Sequence, residues 1–170
     1  MRQTDFAPAD LRRAFGNFLT GVTVVTTRDQ TGVPCGMTAN SFTSVSLDPP
    51  LVLVCIGKGS SNIAAFEAAD RFAVNILSHD QAEIATVFAA RGIDRFMTVT
   101  CREAVTRAPI LADCLGWFDC TLHQRVIAGD HVILIGRVED LQIDQRPPLG
   151  FCRGRFVGLA EMAPQKIAPT

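Results

Sequence analysis

A mainly β fold with flanking helices, arranged as an antiparallel barrel, is what this sequence predicts. Two observations predict it. Short alternating or β-branched runs recur along the chain, and most are joined by turns rather than by repeated helical crossovers. Helical periodicity is confined to a few short stretches, which argues against a doubly wound sheet. No internal repeat, low-complexity tract or linker breaks the pattern, so residues 1–170 are expected to form one domain.

The elements follow in order. Pro8 to Leu19 reads as a helix, with Leu11, Phe15 and Phe18 on one face and Pro8 at a first helical position. Val22 to Thr27 is a β-branched strand, and Asp29 to Gly32 a turn. In Gly36 to Leu51 (GMTANSFTSVSLDPPL) Thr38, Asn40, Ser44, Ser46 and Asp48 alternate with Met37, Ala39, Val45 and Leu47. Ser41, Phe42 and Thr43 break the alternation, so the stretch predicts one or two short strands with a polar face. Leu51 to Ile56 (LVLVCI) is apolar on both faces and predicts a central strand. In GKGSSN, Gly57 and Gly59 end that strand, and Ser60, Ser61 and Asn62 are N-cap residues for a helix with Ile63 and Phe66.

Phe72, Val74 and Ile76 alternate as a strand. Asp80 and Glu83 form an acidic variant of a capping box ahead of a helix carrying Ile84, Val87 and Phe88. Trp117 to Val126 is expected to point Phe118, Cys120, Leu122 and Val126 inward, and His131 to Leu141 to do so with Val132, Leu134 and Val138. Ala128-Gly129-Asp130 makes the hairpin turn between them.

Composition narrows the function. Of 170 residues 48% are hydrophobic and 19% charged, which is enough for a substantial core. The formal net charge is −1 and no basic run exceeds two residues, so nucleic acid and anionic membrane are poor partners. Leu51 to Ile56, the longest apolar run, is far too short to span a bilayer. The start of the chain lacks the apolar core of a signal peptide, so a cytoplasmic location is expected. The six cysteines include no C-x-x-C pair and read as reduced thiols. His79, His123 and His131 have no ligand spacing, so no metal site is expected.

Dinucleotide, P-loop and nucleophile-elbow motifs are absent. Three features remain. GKGSSN is either an ordinary capped helix start or, with Lys58, a phosphate cradle. The hydroxyl-rich stretch before it is either a solvated strand face or a polar ledge for a ligand with a sugar-like chain. Gly129-Asp130-His131 places a histidine at a strand start, in a structural or a functional role.

Together these segments resemble the flavin reductase family of two-component flavin-dependent monooxygenases. The likeness runs through FLTGVTVVTT (18–27), GMTANSFTSVSLDPPLVLVCI (36–56), GKGSSN, FAVNILSHDQAEIATVFA (72–89), DRF (94–96), AGDHVILIGRVEDL (128–141) and PLGFCRGRF (148–156). The resemblance implies an FMN-binding split β-barrel, antiparallel and Greek-key-like, in a homodimer. It implies an NAD(P)H:flavin oxidoreductase that reduces FMN or FAD with NADH or NADPH and supplies a partner monooxygenase. A non-enzymatic, flavoredoxin-like electron carrier is the alternative. By position, Met37, Thr38, Ala39, Asn40 and Ser41 would hold the flavin ring and ribityl chain, and Cys55, Ile56 and Gly57 would back the ring. Lys58, Ser60, Ser61 and Asn62 would approach the phosphate, with Arg95 and Phe96 near the outer part of the cofactor. His131 would meet and orient the nicotinamide, and Arg155 and Phe156 would cover the flavin. The family often has Tyr where this chain has Phe151 and Phe156, which removes a hydroxyl and keeps a stacking ring.

Overall fold

The computed structural model describes residues 6–159. Its centre is a seven-stranded antiparallel sheet. The strands are β2 (Thr23–Arg28), β3 (Pro34–Ala39), β4 (Thr43–Leu47), β5 (Pro50–Gly57), β6 (Arg71–Ile76), β9 (Gly116–Ala128) and β10 (His131–Ile143). They lie in the order β3-β2-β6-β9-β10-β5-β4, so three hairpins are interleaved by crossovers in Greek-key fashion. Three short strands, β1 (Thr20–Gly21), β11 (Gly150–Cys152) and β12 (Arg155–Val157), form a small separate sheet. A third ladder pairs β7 (Cys101–Glu103) with β8 (Pro109–Leu111).

The period-2 pattern of these strands fills the barrel. Val25, Val52, Val54, Ile56, Phe72, Val74, Val132 and Leu134 point inward and are almost wholly buried, joined by Phe66 from helix α2 (Ile63–Ala68). Each such side chain contributes roughly 1.5–3 kcal/mol of burial, so this interior is the main source of stability. Gly136 is required there: a Cβ would come within 2.5 Å of the Phe72 ring and 2.8 Å of Cys120. A second core lies outside the barrel. Helix α3 (Ala82–Ala89) places Ala85 and Phe88 against Val22, Val24 and Leu77. Its close approach depends on Gly36 in β3, where a Cβ would sit 2.8 Å from the Phe88 ring.

The barrel is split between β3 and β5. No backbone ladder joins those strands. The Ser41 hydroxyl bridges them instead, accepting from Cys55 N–H at 2.9 Å and donating to the Cys55 carbonyl at 3.1 Å.

Several expectations are corrected. Helix α1 spans Pro8–Phe15, not Pro8 to Leu19; the Asn17 amide caps the Arg13 and Ala14 carbonyls and Phe18 lies outside the helix. The capping box before α3 is Ser78 with Gln81, not Asp80 with Glu83, because a 3-10 turn at His79–Gln81 precedes the helix. The 37–47 stretch agrees with its reading as one or two short strands: there are two, broken at 40–42. LVLVCI is buried on one face only: Leu51, Leu53 and Cys55 stay half-buried on the outside. Val126 is also on the outside. Gln124 pairs with Ile135 but Leu122 with Gly136, so the extra residue His123 forms a bulge and reverses the in–out parity beyond it.

Candidate functional site

The split in the barrel is a cleft of about 380 Å³. One wall is the end of β3 and the segment after it, Met37 to Ser41. The floor is Cys55 and Gly57 at the end of β5, continuing into Gly59, Ser60 and Ser61. The other wall is the end of α3 with the loop beyond it: Phe88, Ala89, Arg91 and Arg95. His131, first residue of β10, stands at one end. Local chemistry fixes these pieces. The Gly36 carbonyl accepts from the Asn62 amide at 2.8 Å and from Arg95 Nη1 at 2.9 Å, tying both walls to β3. Thr38 donates to the Ala85 carbonyl at 2.6 Å, which fastens α3 to the same strand.

The cleft's electrostatics are one-sided. Among the described residues its lining holds two arginines and a histidine and no carboxylate. The backbone N–H groups of Asn40, Ser41, Gly59 and Ser61 find no acceptor among the described residues. A cleft of unpaired donors suits a ligand that is anionic and rich in acceptors. At His131, Nδ1 lies 2.8 Å from Asp130 Oδ1. That hydrogen bond, reinforced by the charge interaction with His131, holds the Asp130 carboxyl below the usual carboxylate range. With Nδ1–H donated to a carboxylate, Nε2 is the nitrogen left for a ligand, and it faces Gly57. Burial pushes the Cys55 thiol above its ordinary value, so the sulfur in the floor is a neutral thiol at neutral pH.

The flavin reductase-like domain model matches residues 15–160. This chain belongs to the flavin reductase-like family. It is 46% identical over 159 residues to the reductase component of a flavin-dependent trigonelline monooxygenase from Acinetobacter baylyi, covering 94% of this chain and 51% of that protein. It is 39% identical over 163 residues to the reductase subunit of a flavin-dependent monooxygenase from Rhodococcus jostii, covering 95% of this chain and 82% of that one. An NADH:FAD oxidoreductase of Streptomyces globisporus, solved with NAD and FAD fragments, superposes with a TM-score of 0.86 at 41% identity. That match covers 92% of this chain and 94% of that one. The chain spans about half the length of some of the curated relatives it matches.

The structure brings most of the sequence-nominated residues of this flavin reductase-like domain into one cleft. Met37, Thr38, Ala39, Asn40, Ser41, Cys55, Gly57, Ser60, Ser61, Arg95 and His131 all line it, although they come from four parts of the chain. Several hydroxyls and amides there hold the protein together. Ser41 and Thr38 bridge backbone, Arg95 is 9% exposed and bound to carbonyls, and Ser60 accepts from Asn62 N–H at 3.3 Å.

Six nominated residues lie outside the lining. Ile56 points into the barrel core, as the alternation of β5 requires. The Lys58 ammonium donates to the Gly129 carbonyl at 2.7 Å. Asn62 caps no helix with its side chain, its amide being taken by Gly36. Phe96 packs edge-on against Phe88 at 5.1 Å and so supports the wall from behind. Arg155 and Phe156 sit in the small sheet, Phe156 against Phe151 at 5.7 Å. Conversely, Phe88, Ala89 and Arg91 line the cleft without having been nominated for it, and Gly59 only as part of GKGSSN. The available signal was Arg91-Gly92 directly after the apolar periodicity of α3, a cation at a helix-ending turn.

A second hollow, of about 260 Å³, is lined by Arg102, Asp113, Trp117, Gln142, Asp144 and Arg146, among others. Its cations are matched. Arg146 pairs with Asp113 at 3.2 Å and Asp144 at 3.5 Å. Arg102 bonds Gln142 and lies over the Trp117 ring at 5.2 Å.

Proposed function

We propose that this domain is an NAD(P)H:flavin oxidoreductase that reduces FMN or FAD and supplies the reduced flavin to a monooxygenase component. One observation carries the proposal: an acid-free cleft of unpaired donors runs through the barrel's split and ends at an imidazole nitrogen. The donor set suits a flavin. The N–H groups of Asn40 and Ser41 match the acceptor edge of the ring, where negative charge grows on reduction. Gly59, Ser60 and Ser61 match the phosphate end. When bound, the flavin supplies the electron-accepting ring and the nicotinamide supplies the hydride. The protein's task is placement. His131 Nε2 orients the nicotinamide, Gly57 leaves the space beside it open, and the neutral Cys55 sulfur gives the ring an uncharged backing. No side chain has to move a proton in the hydride step.

The outer face of the β5–β10 ladder supports a homodimer. Leu51, Leu53, Cys55, Val126, Ile133 and Ile135 form a half-exposed apolar surface continuous with the cleft. A second copy of this chain covering that face would remove it from water. Six free thiols and a nicotinamide donor fit a cytoplasmic setting.

Mixing the protein anaerobically with NADH or NADPH and free FMN or FAD should bleach flavin absorbance near ~450 nm. No bleaching in any of the four combinations refutes the activity; tight flavin binding without nucleotide oxidation would mark an electron carrier. Sedimentation velocity should give a dimer that Leu53→Arg converts to monomer.

A further inference from the structure

We propose that Arg91 is the residue that reads the flavin's 5′-phosphate, and that it makes the cleft select phosphorylated flavins over riboflavin. The inference rests on the flavin-binding reading above and deepens it.

The assignment follows from where each candidate cation and amide near the Gly59–Ser61 end already donates. Lys58 Nζ is 2.7 Å from the Gly129 carbonyl and lies outside the lining. The Asn62 amide is held by the Gly36 carbonyl at 2.8 Å. Arg95 is buried, and its guanidinium reaches the Gly36 carbonyl at 2.9 Å, the Ala90 carbonyl at 3.0 and 2.5 Å, and Ser61 Oγ at 3.2 Å. Moving Lys58 onto a ligand would leave the Gly129 carbonyl without its side-chain donor, moving Arg95 would do the same to the Ala90 carbonyl, and moving Asn62 would leave the Gly36 carbonyl with Arg95 alone.

Arg91 is different. It is exposed, it lines the cleft, and among the described residues its one hydrogen bond is a single contact from Nη2 to the Gly59 carbonyl at 3.2 Å. That contact places the guanidinium beside the Gly59–Ser61 segment, where the N–H groups of Gly59 and Ser61 also lack acceptors among the described residues. The remaining donors of a planar guanidinium suit two phosphate oxygens at once. Among the described residues no carboxylate lines the cleft to compete for it. FMN and FAD share this 5′-phosphate and riboflavin lacks it, so the charge of Arg91 discriminates on that group alone.

The test is the dissociation constant of FMN and of riboflavin, read by flavin fluorescence, for the wild type, Arg91→Ala and Arg91→Lys. Arg91→Ala should weaken FMN about 10- to 100-fold and leave riboflavin within about twofold. Arg91→Lys should recover part of the FMN affinity, and added salt should weaken FMN less in Arg91→Ala than in the wild type. Unchanged FMN binding in Arg91→Ala, or an equal loss for both flavins, overturns the assignment. A wild type that binds neither flavin overturns the flavin reading itself, which separates the two failures. Thermal melting should stay at the wild-type value in both variants, because Arg91 is exposed and singly bonded.

Discussion

The cleft beside His131 and the hollow beside Trp117 each hold two arginines, yet they treat those charges in opposite ways. In the hollow, Arg146 meets two carboxylates and Arg102 meets Gln142 and an indole ring. In the cleft, no carboxylate is present among the described residues; Arg95 is anchored to backbone carbonyls, which leave its positive charge uncancelled, and Arg91 is held there by a single bond. Arginine alone therefore does not mark a binding site. The absence of local acid does, because a cation without a counter-charge keeps its full attraction for an incoming anion. The same comparison separates Arg95 from Arg91, four positions apart: one is mortar between the cleft's walls, the other is available to a ligand.

Substitutions can break this contrast, and the largest effect is expected at the mortar. Arg95→Ala leaves the Ala90 carbonyl without its side-chain donor and the Gly36 carbonyl with Asn62 alone, and should cost about 2–4 kcal/mol, read from urea unfolding. An unchanged midpoint would mean that the walls are held by something else. Next comes Gly57→Val, which fills the space between β5 and His131 Nε2; the nucleotide KM should rise about tenfold, with little change in unfolding.

A smaller effect is expected at Asp130→Asn, which frees His131 from its orienting carboxylate; the nucleotide KM should rise about threefold. The sign of the pH dependence follows from the depressed carboxyl of Asp130. Its contribution is present above the ordinary carboxylate range and is lost as pH falls through the lowered folded value. Wild type and Asn variant should therefore differ at neutral pH and converge in acid; a constant ratio across pH would remove Asp130 from any orienting role. The smallest effect belongs to the hollow. Arg146→Ala should change stability by less than about 1 kcal/mol and leave flavin binding within twofold. A larger loss of binding would erase the distinction between the two regions.

Much of the fold was legible because period-2 patterning reports which residues face the barrel. Val52, Val54, Ile56, Val132 and Leu134 were recognisable from alternation alone. The parity reversal at Val126 was not, because a single bulge residue in a long hairpin leaves no compositional trace. The outer face of LVLVCI misled for a physical reason: an apolar surface left half-buried on the outside of the sheet has the same composition as one buried in its own core. In the cleft, the Ser- and Thr-rich stretch was found by residue type, but type does not say where a hydroxyl points. Ser41 and Thr38 hold backbone, and Asn62 does the same with its amide. Arg91 was missed because an exposed arginine after a helix is ordinary until the cleft beside it is seen.

The Ser41 bridge across the split has a wider consequence. In a laddered sheet the distance between strands is dictated by the backbone and resists change at any one position. Here the two lips of the opening are fastened by a few side chains, Ser41 on Cys55 and Asn62 on the Gly36 carbonyl, so their separation rests on a few codons. None of these bonds belongs to a ladder, so exchanging those side chains leaves the register of every strand pair to the backbone. A single scaffold of this construction can thereby be refitted to bulkier or slimmer planar guests by local exchange, with its core left untouched.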